Sequence, residues 1–218
     1  MRTRQRPKLQ TQPRRPRGRP KADDVAALEA RLVLVARQAF TLKGYGATSI
    51  NSIAKSARVS KNTLYARFSS KGAMFRAIIA QQIAAVDAEL PAAGRDDEPL
   101  QERLRAYVNV ALRRSLSGDM LEINRLILSE SHQFPELGEA FGARFQVGVA
   151  YIAQLIEEYA RRDRISCRDS AAAAELILSA ASGWYTSVMT ANRVVSDRER
   201  TSWVDYAVRI FMASRSAW

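Results

Sequence analysis

From Asp23 onward, apolar residues recur at intervals of three and four, and no alternating apolar–polar run is bounded by turn signals. That pattern fits helices packed through one stripe each and supplies no strand for a sheet. Leu28, Leu32, Val35, Ala36, Ala39 and Phe40 form the first stripe, on a helix expected over 24–43. Asp23 and Asp24 suit its positive end, and Gly44 is placed to terminate it. Thr48 or Ser49 can cap a short second helix that turns Ile50, Ile53, Ala54 and Ala57 inward. Ser60 can cap a third helix from Lys61 to about Phe68, and Ser69 and Ser70 a fourth with Phe75, Ile78, Ile79 and Ile83 on one face. Past a loop at 91–99, five more helices are expected at about 100–115, 119–134, 136–162, 170–192 and 198–213. The fold class is therefore all-α with about nine helices: a small three-helix N-terminal domain at 23–84 and a larger helical one at 85–218.

At 218 residues, 47% of them hydrophobic, the chain can bury a sizeable core. Its net charge of +12 is unevenly placed. The first 21 residues hold nine Lys and Arg and no acid, which leaves 25 basic against 22 acidic residues elsewhere. Residues 1–22 also carry four of the seven prolines and almost nothing apolar, so they are expected to stay disordered until a polyanion meets them. Cys167 is the only cysteine, which rules out an intrachain disulfide and suits a reducing compartment. No apolar run approaches the roughly 18 residues that span a bilayer, and no apolar stretch follows the basic N-terminus as in a signal peptide. A cytoplasmic protein is expected.

Two short helices joined by a tight turn over 49–68 suit the motif that lays its second helix in the DNA major groove. Ala54 is small where the helices must approach; Val59, Leu64 and Phe68 can close a core with Phe40, Ile50 and Ile53. Lys61, Asn62, Thr63, Ala66 and Arg67 then face outward. A plain surface hairpin in a helical bundle has the same spacing, so the residues themselves must discriminate. Gly44, Tyr45, Thr48, Ser49, Ile53, Ala54, Ala57, Val59, Ser60, Lys61, Thr63, Leu64, Tyr65, Phe68 and Lys71, in that spacing, closely resemble the signature of the TetR/AcrR regulators, from about Leu32 to Ile79. The resemblance implies that Tyr65 and Lys71 hold phosphates, Lys71 with help from the fourth helix's N-terminus, and that Thr48 and Ser60 lie near the DNA backbone. It also implies that Lys61, Asn62, Thr63 and Arg67 read or flank bases. Three positions depart from the pattern. Arg58 stands where glycine is usual, so either its φ is positive and strained or the turn has shifted, and its guanidinium could offset strain with a phosphate contact. Asn62 also replaces a common glycine and offers a bidentate partner for adenine. Gly72 replaces the usual glutamate.

In the arm, Pro16-Arg17-Gly18-Arg19-Pro20-Lys21 looks like an AT-hook core, whose Arg17 and Arg19 would enter an A·T minor groove; a tail that binds only phosphates is the plainer alternative. Residues 125–137 are similar to a segment of AefR-like members, in which a proline divides two helices beside a ligand cavity; Pro135 also simply suits the first position of a helix. The family implies an inducer pocket for a small apolar or amphipathic compound, with Met120, Ile123, Leu126, Phe134, Phe145, Tyr151, Trp184 and Met189 as candidates, although plain core explains each as well. His132 and Arg125 could hold a polar ligand group, or His132 could be structural. Small residues Ala173, Ala180, Gly183 and Ser187, with bulky Trp203, Tyr206 and Ile210, fit a four-helix homodimer interface; the alternative is that they face only the monomer core. One histidine and one cysteine, 35 positions apart, make no metal cluster or triad, so neither an enzyme nor a cofactor is expected. The expected function is a homodimeric, ligand-responsive repressor on a palindromic operator. The competing reading is an architectural protein binding DNA by shape and charge alone.

Overall fold

A computed structural model describes residues 22–93, 98–164 and 167–215. These hold nine helices and no strand: α1 Ala22–Lys43, α2 Ile50–Ser56, α3 Lys61–Tyr65, α4 Lys71–Ala93, α5 Leu100–Ser115, α6 Gly118–Glu130, α7 Pro135–Asp163, α8 Ser170–Thr190 and α9 Asp197–Ala213. The all-α expectation holds. The basic arm, with Arg17 and Arg19, lies outside the described residues.

Local chemistry accounts for most helix ends. Gly44, at φ +83°, closes α1 with its N–H on Phe40 O. Ser49, Ser60 and Ser70 accept from the backbone N–H groups of Ser52, Thr63 and Ala73, so α2, α3 and α4 each start on a serine cap. Three boundaries differ from the sequence expectation; α3, expected to run to about Phe68, ends at Tyr65, after which 66–67 form a turn. α4 continues through Pro91 to Ala93, although proline has no N–H to give the carbonyl four residues back. α6 stops at Glu130, four residues short of the expected end; Phe134, before the proline, leaves helical backbone at φ −128°, ψ 83°, and Pro135 opens α7.

The buried side chains form two cores. One joins α5, α7, α8 and α9 through residues such as Leu104, Ile152, Ile156, Ala174, Ile177, Val204 and Val208. The other gathers the buried faces of α1–α4 around Leu32, Phe40, Tyr45, Ile53, Leu64 and Phe75. Phe40, Tyr45 and Phe75 pack ring to ring at centroid distances of 5.1 to 6.1 Å. This second core also takes in Met120, Ile123, Leu126 and Ile127 of α6, and Leu137 and Ala140 at the start of α7. Helix α6 packs on α1, so the N-terminal core is completed by residues far beyond position 84.

Candidate nucleic-acid interface

The turn between α2 and α3 places the outward face of α3. Arg58 has φ +53°; Val59 N–H reaches Ala54 O at 3.0 Å and Arg58 N–H reaches Lys55 O at 3.1 Å. These two bonds around a left-handed residue are the Schellman closure, here made without glycine at a strain of about 1 kcal/mol. The turn has therefore kept its shape instead of shifting. Ser60 Oγ also lies 2.8 Å from Thr63 Oγ1, which fixes the first turn of α3.

With Leu64 wholly buried, Lys61, Asn62, Ala66 and Arg67 are exposed, Thr63 is half-buried and Tyr65 is 50% exposed. Arg58 and Ser60 lie exposed beside them, and Arg67 reaches Glu29 on α1 at 3.5 Å. Residues 30–86 carry nine Lys and Arg and no acidic residue, whereas 87–218 carry 16 basic and 19 acidic ones. The reader is thus strongly basic in its own right, which corrects the view that positive charge is concentrated in the arm alone. A windowed charge count shows this directly from sequence. Such a face attracts polyanions over a Debye length, and Lys61 and Asn62 stand exposed on it.

Two residues expected near the DNA backbone make contacts within the protein. Thr48 is buried, and its hydroxyl donates to Gly44 O (2.8 Å) and Ala39 O (3.1 Å), so it holds the α1–α2 turn. The Lys71 ammonium is turned inward: it donates to Tyr45 O (2.7 Å) and Thr48 O (3.1 Å), 4.2 Å above the Tyr45 ring. Two of its three protons are spent on that loop. Burial pushes its pKa down, opposed by Glu136 and Glu130.

Sequence reasoning missed those two acids. The α6–α7 corner clasps the loop that enters the helix-turn-helix. Glu130 accepts from Tyr45 N–H (3.0 Å) and Gly46 N–H (2.8 Å), and Tyr45 Oη donates to Glu136 Oε1 (2.7 Å). A Cβ at Gly44 would stand 2.9 Å from the Glu130 carboxylate, so a side chain there would push on the clasp as well as strain the backbone. Phe134 packs edge-on against Tyr45 at 5.1 Å. Burial first, and the Glu136 carboxylate second, raise the Tyr45 pKa; the Tyr45 hydrogen bond in turn lowers that of Glu136. Phe134 therefore belongs to this clasp.

A half-open cavity of about 100 Å³ lies between α4, α5, α7 and α8. Met120 and Phe145 line it as expected. The other six candidates do not. Ile123 and Leu126 face the N-terminal core because α6 turns toward α1; Met189 is buried in the C-terminal core. Tyr151 stacks on Tyr107 and Trp184 on Trp203, both at 4.9 Å. His132 is exposed, while Arg125 bonds Glu122 and Asn192, so neither meets the cavity. Of the interface candidates, Ala173 is buried within its own core, which removes it from any docking face. Ala180, Gly183 and Ser187 are exposed on α8, next to Leu176 at 62% exposure; Tyr206 (57%) and Ile210 (54%) are exposed on α9 beside half-buried Trp203.

Among the described residues no helix is long and apolar enough to cross a membrane, and no three His, Cys, Asp or Glu gather as a metal site. The fold and its basic reader define a helix-turn-helix DNA-binding transcriptional regulator. Residues 32–78 match the model for bacterial regulatory proteins of the tetR family, and residues 102–214 match that for the AefR-like transcriptional repressor C-terminal domain. The chain belongs to the TetR family. A putative TetR-family transcriptional regulator from Mesorhizobium loti is similar at 23% identity and TM-score 0.70, over 86% of this chain and 96% of that one. The flavonoid-responsive regulator FrrA is similar at 27% identity and TM-score 0.70, over 87% and 97%. Salmonella enterica GusR is similar at 20% identity and TM-score 0.68, over 89% and 98%. No curated protein sequence matches the chain.

Proposed function

We propose that the protein is a cytoplasmic, homodimeric repressor that binds a palindromic operator and leaves it when a small molecule binds. The observation that carries this reading is the exposed apolar and small-residue face across α8 and α9, remote in sequence from the reader. Leu176, Ala180, Gly183 and Ser187 follow at steps of four, three and four, so they share one stripe of α8. Trp184 stacked on Trp203 ties that stripe to Tyr206 and Ile210 on α9. Two such helix pairs bury one another in a four-helix bundle, and two-fold symmetry then presents two α3 helices to an inverted repeat.

In this reading the chain divides into a basic arm (1–22), a reader (23–84) and a ligand-binding and dimerisation unit (85–218). Arg58, Ser60, Lys61, Asn62, Thr63, Tyr65 and Arg67 contact the operator, and Arg17 and Arg19 add minor-groove contacts. Repression is supported by the repressor model matched over 102–214, and ligand response by the cavity and by the similarity to a flavonoid-responsive regulator. Selection from random DNA followed by sequencing tests the proposal. It should recover an inverted repeat bound by a dimer; recovery of no repeat, with binding set by charge alone, would favour an architectural role instead.

A further inference from the structure

The cavity holds an arginine whose positive charge has no acidic partner among the described residues that line it. Arg144, on α7, donates to Asn124 Oδ1 at 3.1 Å, lies 5.0 Å from the Phe141 ring and has Tyr185 within hydrogen-bonding reach. Those neighbours are neutral. Its side chain keeps some accessible surface because it lines the cavity. Burial pushes the guanidinium pKa down, yet an arginine stays charged at neutral pH. A desolvated cation is costly unless an anion meets it, and a guanidinium's fork matches a carboxylate bidentately.

The surroundings complete an amphipathic site. Phe141, Phe145, Met120, Leu178 and Ile83 supply apolar wall, and Tyr107 and Tyr185 bring phenols to the same rim. Gly148 is part of that arrangement: a Cβ there would stand 2.7 Å from Tyr107 Oη, so the tyrosine reaches the cavity only past a glycine. The volume of about 100 Å³ suits one ring or a short chain. We infer that the cavity takes an amphipathic organic acid, its carboxylate on Arg144 and Tyr185 and its ring or chain against Phe141, Phe145 and Leu178. This rests on the proposed ligand response at the same cavity.

The test uses full-length protein and matched pairs, benzoate with benzamide and hexanoate with hexanamide, by titration calorimetry and operator release. At least one acid should bind tenfold or more tightly than its amide, and the preferred pair tells aromatic from alkyl acids. Arg144→Met should abolish the preference while operator binding persists, and Arg144→Lys should keep part of it. If Arg144→Met does not fold, the wild-type acid–amide ratio and Arg144→Lys still decide. Equal binding of acid and amide, a preference that survives in Arg144→Met, or no binding of any of the four overturns the inference. Acid binding that leaves operator affinity unchanged would instead uphold the anion site and sink the ligand response.

Discussion

Replacing Glu130 by alanine asks whether the α6–α7 corner holds the loop that enters the reader. The carboxylate accepts two backbone N–H bonds, from Tyr45 at 3.0 Å and Gly46 at 2.8 Å. Hydrogen bonds to an ionised group contribute about 1.5–3 kcal/mol each to net stability. Gly46 is exposed, so water replaces that partner and its share falls at or below the low end. Tyr45 is wholly buried, and its amide would lose a partner that water reaches poorly. The two together place the loss at about 2–4 kcal/mol. For a chain of this length each kcal/mol lowers Tm by about 2–4 °C, so Glu130→Ala should melt roughly 5–15 °C below wild type. Glu130→Gln keeps one acceptor and loses the charge, and should cost about half as much. Melts and urea titrations at one protein concentration check this, with Glu139→Ala, exposed on α7, as a control that shifts by no more than about 0.5 kcal/mol. A Glu130→Ala protein as stable as that control would refute the clasp.

Arg58→Gly relieves the left-handed strain and should raise stability by up to about 1 kcal/mol; if the guanidinium also touches phosphate, operator affinity falls and the salt slope drops by about one, both read in binding titrations over a salt series. Ile210→Glu, on the exposed face of α9, should yield monomers by sedimentation and weaken binding to an inverted repeat far more than to a half-site; a dimer that persists counts against that face. Glu136 has its pKa lowered, first by the Tyr45 hydrogen bond, so its stabilisation is present above its ordinary value near 4.5 and lost as pH falls through the lower native value. Urea midpoints of wild type at pH 7 and pH 3.5 should therefore differ more than those of Glu136→Gln. Tyr45→Phe deletes the same bond from the other side, and should lower the midpoint at pH 7 while leaving that acid loss reduced; an unchanged acid profile in both variants would show that the bond does not form in solution.

Features set by a few consecutive residues were legible in the sequence. Serine caps at 49, 60 and 70 and the glycine stop at 44 need only short-range hydrogen bonds and backbone sterics, and Arg58 announced its own strain by standing where glycine is usual. What failed was partner choice. Periodicity says that Ile123 and Leu126 are buried, but both a ligand cavity and the α1 face would bury them equally well. Lys71 and Glu130 failed for a related reason. Each is a charged residue that by default stays in solvent, and each is drawn inward by backbone groups 23 or more positions away. The cavity arginine was invisible because an unpaired charge is recognised only after its neighbours are known.

The clasp and the cavity share α4 and α7, which bears on how a ligand could act on DNA. α7 carries Glu136 at the clasp and Arg144 at the cavity, eight residues or about 12 Å apart along the axis. α4 carries Lys71 on the entry loop and Gln82 and Ile83 on the cavity wall, about 17 Å along. In the proposed function a ligand wedged between α4 and α7 would work against two helices whose N-termini meet at the loop 44–48, where Lys71 and Glu136 both bond Tyr45. Emptying an operator a hundredfold needs about 2.7 kcal/mol of coupling. That is the size of the Glu130 contribution alone, so a ligand need not unfold the reader or cross it directly. Loosening one grip on the loop suffices, and by reciprocity operator DNA must weaken ligand binding by the same factor.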